Sequence, residues 1–155
     1  MAQLMKYEIQ PKYLIPPGYN PIYGTAYKDI YLDEANQSLL TIWNHKSELL
    51  NNEMYKKDCL KTLSLVRKYS VTNFIADVTV NRFVIPPESQ SWYATEIAIQ
   101  FKEAGLKKWA VIVENDLTMM GALEEIANGP SKVQGEAISL RFFSTLQDAH
   151  YWAIR

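Results

Sequence analysis

The sequence predicts an α/β fold in which a mixed sheet of about five strands packs against four helices. The clearest signal lies between Asn73 and Val113. Residues 73–78 and 108–113 are apolar, strand-like runs, and a helix between them begins near Pro87 and ends at Gly105. A strand–helix–strand unit of this length is a right-handed parallel crossover. The sheet is expected to be mixed because two earlier strands, joined by a short turn, must pair antiparallel.

The first two strands and the first helix follow from local periodicity. From residue 25 to 33 two rows of residues alternate, which predicts a strand. One row is Tyr27, Asp29, Tyr31 and Asp33, and the other is Ala26, Lys28, Ile30 and Leu32. Residues 34–37 are a predicted turn, and residues 38–43 return as the second strand. A helix is predicted over residues 47–69. Its apolar stripe is Tyr55, Cys59, Leu63, Val66 and Tyr69, and its solvated face carries Lys57, Lys61, Ser64 and Lys68.

The remaining elements complete the predicted order β-β-α-β-α-β-α-β-α. The second helix is expected to bury Tyr93, Ile97, Phe101 and Ala104, and Gly105 supplies a left-handed stop. Asn115 or Asp116 is expected to cap a third helix that ends near residue 129. Residues 131–136 are a predicted surface loop, and residues 137–143 form the fifth strand. Ser144 and Gln147 match a capping box that opens the last helix.

An N-terminal arm, residues 1–24, is predicted to precede a single α/β domain at residues 25–155. Six of the ten tyrosines and four of the seven prolines fall in the first 31 residues. Proline blocks helix and removes backbone donors, so the arm is expected to be extended or rich in turns. Tyrosine at this density is not typical of a solvated tail. The arm either packs over its own domain or reaches a second subunit.

Composition excludes several classes of protein. Of the 155 residues, 48% are hydrophobic and 21% are charged, which are ordinary values for a globular protein. The formal net charge is −1, so no basic excess is present to bind phosphates, and no nucleic-acid partner is expected. No apolar run approaches the roughly 18 residues of a membrane span, and the N-terminus lacks the features of a secretory signal. We therefore expect a cytoplasmic protein.

No set of catalytic or metal-binding residues is recognisable. The two histidines, His45 and His150, do not have a metal-ligand spacing, and no Gly-x-Ser-x-Gly elbow, Walker loop or dinucleotide fingerprint occurs. Cys59 is the only cysteine and is expected to pack as a small apolar residue. We therefore expect no enzyme activity, no metal and no cofactor.

Four segments carry a likeness to a known family. They are residues 73–77, 87–92, 104–108 and 143–149. In these motifs and in its element order, residues 25–155 resemble the STAS domain, the fold of bacterial anti-sigma-factor antagonists and of transporter cytoplasmic domains. The likeness is closer to small bacterial STAS-like proteins. This resemblance implies a regulatory or interaction domain.

The resemblance also points to one modification site. Antagonist members carry an Asp-Ser-Ser-Gly type motif after the third strand, where a partner kinase phosphorylates a hydroxyl. The matching positions here read Asp77-Val78-Thr79-Val80, so the resemblance places Thr79 at the acceptor position. The glycine is absent, and residues 81–86 insert a longer loop. We therefore expect that Thr79 is not constitutively phosphorylated.

The candidate partner or ligand surface lies beside the second helix. Trp92 is rotated about 100° from the Tyr93 stripe, and Phe83 in the preceding loop extends its apolar surface. The leading interpretation is a non-enzymatic regulatory or protein-interaction domain that presents the loop at 79–87 and this helix to a protein partner. The alternative is a small apolar, lipid-like ligand under the loop. The candidate surface consists of Asp77, Thr79, Arg82, Phe83, Ser89, Trp92 and Ile99.

Two observations favour self-association. Tyrosine buries a large area at little rotamer cost, which suits the arm to an interface, and Trp92 and Ile99 lie off the core stripe. We expect a symmetric homodimer that uses the arm, the second helix or both. Its rival is an arm that covers Trp92 within one chain.

Overall fold

A computed structural model describes residues 15–129 and 138–155. Within them one six-stranded sheet is present, so the predicted α/β class and mixed sheet are confirmed with six strands rather than about five. The strands lie side by side in chain order. Neighbouring strands pair antiparallel from the first strand to the third and parallel from the third strand to the sixth. They are β1 (Asn20–Gly24), β2 (Lys28–Asp33), β3 (Ser38–Trp43), β4 (Asn73–Asp77), β5 (Lys108–Ile112) and β6 (Ser139–Phe143).

The additional strand, β1, lies inside the segment predicted as the N-terminal arm. It pairs with β2 along the sheet edge, and its register shifts between Pro21 and Tyr23. Proline is tolerated in an edge strand because one side of that strand needs no ladder donor, and a bulge is common there. Residues 1–14 of the arm and the loop predicted at 131–136 lie outside the described residues.

In the described ranges, four helices connect and cover these strands. The first is α1 (Asn52–Tyr69), and the second, α2, joins Pro87–Trp92 and Ala98–Glu103 through a π-helical turn, Tyr93–Ile97. The others are α3 (Leu117–Ala127) and α4 (Leu146–Ile154). No helix of the described residues is both long enough and apolar enough to cross a bilayer.

Helix α1 confirms the predicted stripe but not the predicted start. Its apolar stripe is buried except for Tyr69, which is half-buried, and the lysine face is exposed. The helix predicted from residue 47 is interrupted, because His45–Leu49 forms a 3₁₀ turn. Asn51 then adopts an extended backbone and accepts a hydrogen bond from Met54 N at 2.9 Å, which starts a new helix.

The ends of the other helices test three predicted helix caps, of which two are confirmed and one is wrong. Gly105, at φ +107°, follows α2 as predicted, and Leu106 N donates to Phe101 O at 3.0 Å. Asp116 caps α3 by accepting from Met119 N at 3.0 Å. The predicted capping box at Ser144 is wrong by one residue, because Thr145 has the extended backbone and its hydroxyl accepts from Asp148 N.

The buried residues form two layers, one on each face of the sheet. On one face α1, α2 and α3 pack over Leu39, Phe74 and Val111. On the other face α4 packs over Leu40, Ile75 and other strand residues. Helices α1, α2 and α3 each connect two parallel strands. They lie on the same face because each of these connections is right-handed and the strands follow one another in one direction across the sheet.

A small polar network joins the segment before β1 to the second face. The buried Tyr19 hydroxyl lies 2.7 Å from Ser38 Oγ and 3.1 Å from His150 Nδ1 on α4. Burial raises the pKa of Tyr19 to about 12. Burial also lowers the pKa of His150, against a weaker opposing effect of the Asp33 carboxylate. Burial in this network therefore favours the neutral forms of the Tyr19 hydroxyl and the His150 imidazole.

This network predicts a loss of stability in mild acid. The unfolded chain takes up a proton on His150 near its ordinary pKa of about 6.5, whereas the folded state resists it. The free energy of unfolding should therefore fall as the pH drops through about 6.5 and below. Denaturation of the His150→Gln variant should show a smaller fall than wild type. The exposed His45→Gln is the control, and an equal fall in all three proteins would contradict the prediction.

Candidate functional site

The candidate site lies at the carboxyl edge of the parallel strands. The loop after β4, residues 78–86, meets the beginnings of α1 and α3 at this edge. Ligands of open α/β sheets bind in crevices outside the carboxyl ends of the strands. Lys28 and Trp43, paired across β2 and β3, belong to the same edge.

A buried ion pair forms one wall of the site. Lys28 Nζ donates to Asp58 Oδ2 at 2.6 Å, and the two side chains are only 2% and 5% exposed. The same ammonium group donates to Thr62 Oγ1 at 3.3 Å and lies 4.7 Å from the ring centroid of Trp43. A buried charge is costly without a partner, so these contacts fix β2 against α1.

The sequence contained half of the signal for this pair. Strand alternation set Lys28 in one row with Ala26, Ile30 and Leu32, and a lysine in a buried row of this kind requires a partner. Asp58 is adjacent to Cys59 of the predicted stripe, but nothing in the sequence joins it to a residue 30 positions away. The pair was missed for that reason.

An inner cavity of about 70 Å³ lies beside the ion pair, between the sheet, the three helices and the loop. Aromatic side chains make up much of its wall, and several are nearly parallel. The rings of Phe74 and Tyr93 lie 6.1 and 6.4 Å from that of Trp109, each within 10° of its plane. Tyr55 stacks on Phe83 of the loop at 5.1 Å. The cavity is therefore mainly apolar and rich in aromatic side chains, with the ion pair on one side.

One buried donor of a residue that lines this cavity has no hydrogen-bond partner in the structure. Trp109 is 6% exposed, and its Nε1–H has no hydrogen-bond partner, a condition it shares among the described buried side chains only with the Thr41 hydroxyl. A buried donor without a partner costs about 1–3 kcal/mol. Trp109 was missed as a site residue because it sits in an apolar run that reads as a plain core strand.

An outer groove of about 310 Å³ adjoins the inner cavity. It runs between the loop and the start of α3, and its rim includes Arg82, Val84 and Asp116. Val84 is 68% exposed. Leu117 follows the lining residue Asp116 in the chain and is 80% exposed. The residues that line both spaces, and so separate them, are Asn81, Phe83, Ile85 and Met119.

Hydrogen bonds hold the loop in place at both ends. Asp77 Oδ1 accepts from Thr79 N at 3.1 Å and from Thr79 Oγ1 at 2.7 Å. Arg82 N donates to the buried Ser47 Oγ at 2.6 Å, and Gln90 Nε2 donates to Ile85 O at 2.8 Å. The groove therefore has a preformed shape.

The structure separates the predicted surface into two groups. Asp77 ends β4, Thr79 follows it in the loop, and Arg82 and Phe83 line the outer groove. Ser89, Trp92 and Ile99 lie on α2 and line neither space. 

The three predicted surface residues on α2 pack against the protein and do not form an exposed surface. Ser89 is buried and its hydroxyl donates to Asn52 Oδ1 at 3.1 Å. Trp92 is half-buried, with its ring edge-on to Tyr93 and Lys56 Nζ at 5.2 Å from its centroid. Ile99 is also half-buried. Helix α1 therefore covers much of the surface expected at Trp92.

Burial favours the neutral forms of the thiol and the two phenol groups that line the cavity. Burial raises the pKa of the Cys59 thiol, and the nearby Asp58 carboxylate raises it further, so this thiol is not a nucleophile at neutral pH. Burial raises the pKa of Tyr55 and Tyr93 well above 10. In the described part of the chain, no three His, Cys, Asp or Glu residues come together to hold a metal ion.

No protein-family model, curated protein or solved structure matches this chain. The STAS-like resemblance and the bacterial origin it implies stay predictions, and so does the cytoplasmic location expected from the sequence.

The ion pair predicts strong coupling between two substitutions. Lys28→Met or Asp58→Leu alone leaves a buried charge unpaired and should cost about 3–5 kcal/mol of unfolding free energy. The double variant removes both charges and should lose much less than the sum of the two. Chemical denaturation of the four proteins measures this coupling. Additive losses would show that the two charges do not depend on each other.

Proposed function

We propose that this protein is a non-enzymatic regulatory or interaction domain that binds a protein partner at the outer groove. The observation that carries the proposal is the exposure of Val84 and Leu117 beside a groove of about 310 Å³. Large apolar side chains exposed next to a preformed groove are typical of interaction sites.

The surroundings of the groove support the same proposal. Arg82 and Asp116 are both exposed and line the groove beside the exposed apolar residues. They give the groove a polar rim of mixed charge. The loop is anchored through Ser47 and Gln90, so a partner need not supply the cost of ordering it. The partner segment we propose is apolar at its centre and carries polar groups at its ends.

Phosphorylation of Thr79 has no part in this proposal. The Thr79 hydroxyl donates to the buried Asp77 carboxylate, and a phosphate at that oxygen would place two further negative charges against it. This contact favours the prediction that Thr79 is not constitutively phosphorylated.

Binding of a small apolar ligand is the second candidate function, favoured by the inner cavity. Phe83 lines this cavity as the ligand hypothesis requires, but Trp92 does not. A volume of about 70 Å³ is well below the roughly 300–1,000 Å³ of pockets that hold drug-sized ligands. A lipid-like ligand would therefore have to occupy the outer groove as well.

Partner binding is tested with two groove variants and one matched control. Val84→Asp and Leu117→Asp place a charge on exposed apolar positions and should each weaken partner capture from native lysate about tenfold. Tyr151→Asp, at a position 65% exposed on α4, should capture the partner as wild type does. Equal capture by all four proteins would contradict the proposal, as would an equal loss in the control.

The homodimer stays a prediction and needs a shorter truncation than the arm suggests. Removing residues 1–24 would delete β1 and the buried Tyr19, so truncation should stop at residue 14. Sedimentation at micromolar concentration should show a dimer for the full chain and a monomer without residues 1–14. A monomer in both cases rules the dimer out, and a dimer in both removes the arm from its interface.

A further inference from the structure

We propose that the partner bound at the carboxyl edge of the sheet is a basic segment of another protein, whose apolar side chains contact Leu49, Val84 and Leu117. This inference rests on the proposed function, the binding of a protein partner at the outer groove. It adds the charge of that partner and a further point of contact, Leu49, which does not line the groove.

The three most exposed large apolar side chains of the described residues lie at this one edge. Leu49 is 70% exposed, between the values of Val84 and Leu117. The three residues lie on different connections, which follow β3, β4 and β5 respectively. These strands are parallel neighbours, so their carboxyl ends meet at the same edge. Apolar side chains exposed on three adjacent connections are typical of an interaction surface.

Contacts join the three connections. Arg82 N, in the loop after β4, donates to Ser47 Oγ at 2.6 Å, and Ser47 belongs to the same 3₁₀ turn as Leu49. The loop after β4 also lines the outer groove together with the start of α3, which begins at Leu117. The three apolar positions therefore lie on segments that touch each other or share one groove.

The exposed charges of the same connections determine the charge of the partner. From the end of each strand to the first turn of the next α-helix, five carboxylates and two cations are exposed, a net charge of −3. The carboxylates are Glu48, Glu53, Glu88, Glu114 and Asp116, and the cations are Lys46 and Arg82. The whole chain has a formal net charge of −1, so the rest of the chain carries +2. Negative charge is thus concentrated at this edge.

The helix starts at this edge offset only part of the negative charge. Three α-helices begin on these connections, and the N-terminus of a helix is equivalent to about +0.5 of a charge. The edge therefore stays negative by roughly 1.5 charges. Within the described residues, none of the five carboxylates forms an ion pair. Such a surface attracts a basic segment and repels an acidic one, which gives the partner its charge.

A library of short random peptides, selected for binding to the full chain, tests the charge of the partner. The selected peptides should combine apolar residues with lysine or arginine and should carry a net positive charge. One selected peptide is then synthesised and titrated against the full chain. Its affinity should fall as the ionic strength rises, because salt screens attraction between exposed charges.

Substitutions of leucine by serine locate the bound peptide without changing the charge of the chain. Leu49→Ser and Leu117→Ser should each weaken binding of the synthetic peptide about tenfold. Leu60→Ser is the matched control, because this leucine is also exposed but lies in the middle of α1. Its affinity for the peptide should equal that of wild type.

Substitutions of glutamate by glutamine test the charge on the side of the chain. Glu48 and Glu114 lie outside the α-helices, so Glu48→Gln and Glu114→Gln remove a charge without removing a helix cap. Each should weaken binding of the peptide about threefold, as the loss of one exposed charge pair allows. Glu34→Gln, in the exposed turn before β3 at the opposite edge, should leave the affinity unchanged.

The outcomes separate this inference from the proposed function. Neutral or acidic peptides that lose affinity in Leu117→Ser would overturn the basic partner and leave the groove as the binding site. Basic peptides that bind both leucine variants as they bind Leu60→Ser would overturn the site as well.

Two further results would overturn the basic partner. One is a selection that enriches no peptide, in which case the capture experiment tests the proposed function by itself. The other is binding of a synthetic peptide of residues 1–14, with loss of affinity in Leu49→Ser and Leu117→Ser. That segment has two lysines and one glutamate, and such binding would make the chain's own N-terminal segment the occupant.

Discussion

The ammonium of Lys28 and the carboxylate of Asp58 meet where almost no water reaches them, and much of the candidate site follows from that contact. Removing either charge from water is costly, so the fold must keep the two groups together. Doing so fixes the start of β2 against the second turn of α1. It also makes Thr62 and Trp43 neighbours of a charge, and it leaves the adjacent cavity without free ionic groups.

The loop after β4 gives the protein its two neighbouring spaces. It is anchored by Asp77 at one end and by Gln90 at the other, and its middle is attached to the 3₁₀ turn through Ser47. Phe83 packs on Tyr55 and lines both spaces, whereas Val84 lines only the outer groove and is exposed to solvent. A single short segment thus closes an aromatic cavity and presents an apolar edge.

The sequence predicted the parts of the fold that depend on local periodicity. The parallel unit between β4 and β5 and the buried stripe of α1 were predictable because their signals repeat within one element. Strand β1 was missed because Pro21 gives a turn signal that an edge strand tolerates. The cap of α4 was misplaced by one residue because serine and threonine are both good helix caps. Only the extended backbone of Thr145 distinguishes it from Ser144 as the cap.

The candidate site was less predictable, since its residues come from separate elements. Arg82 and Phe83 were found because their loop is an unusual insertion. Trp92 was favoured over Trp109 because helix phase exposes an off-stripe residue, yet contacts with α1 and Tyr93 half-bury it. The unsatisfied donor of Trp109 is visible only once the neighbours of its indole ring are known.

The sequential order of the strands has a consequence for how this chain reaches its folded state. Neighbours in the sheet are consecutive in the chain, so many contacts are local, and strands can be added in the order of synthesis. Helix α4, which covers the second face, follows every strand. Until α4 is made, a nascent sheet would therefore leave Leu40, Ile75 and Ile112 uncovered, and exposed apolar surface of this kind makes folding intermediates prone to aggregate.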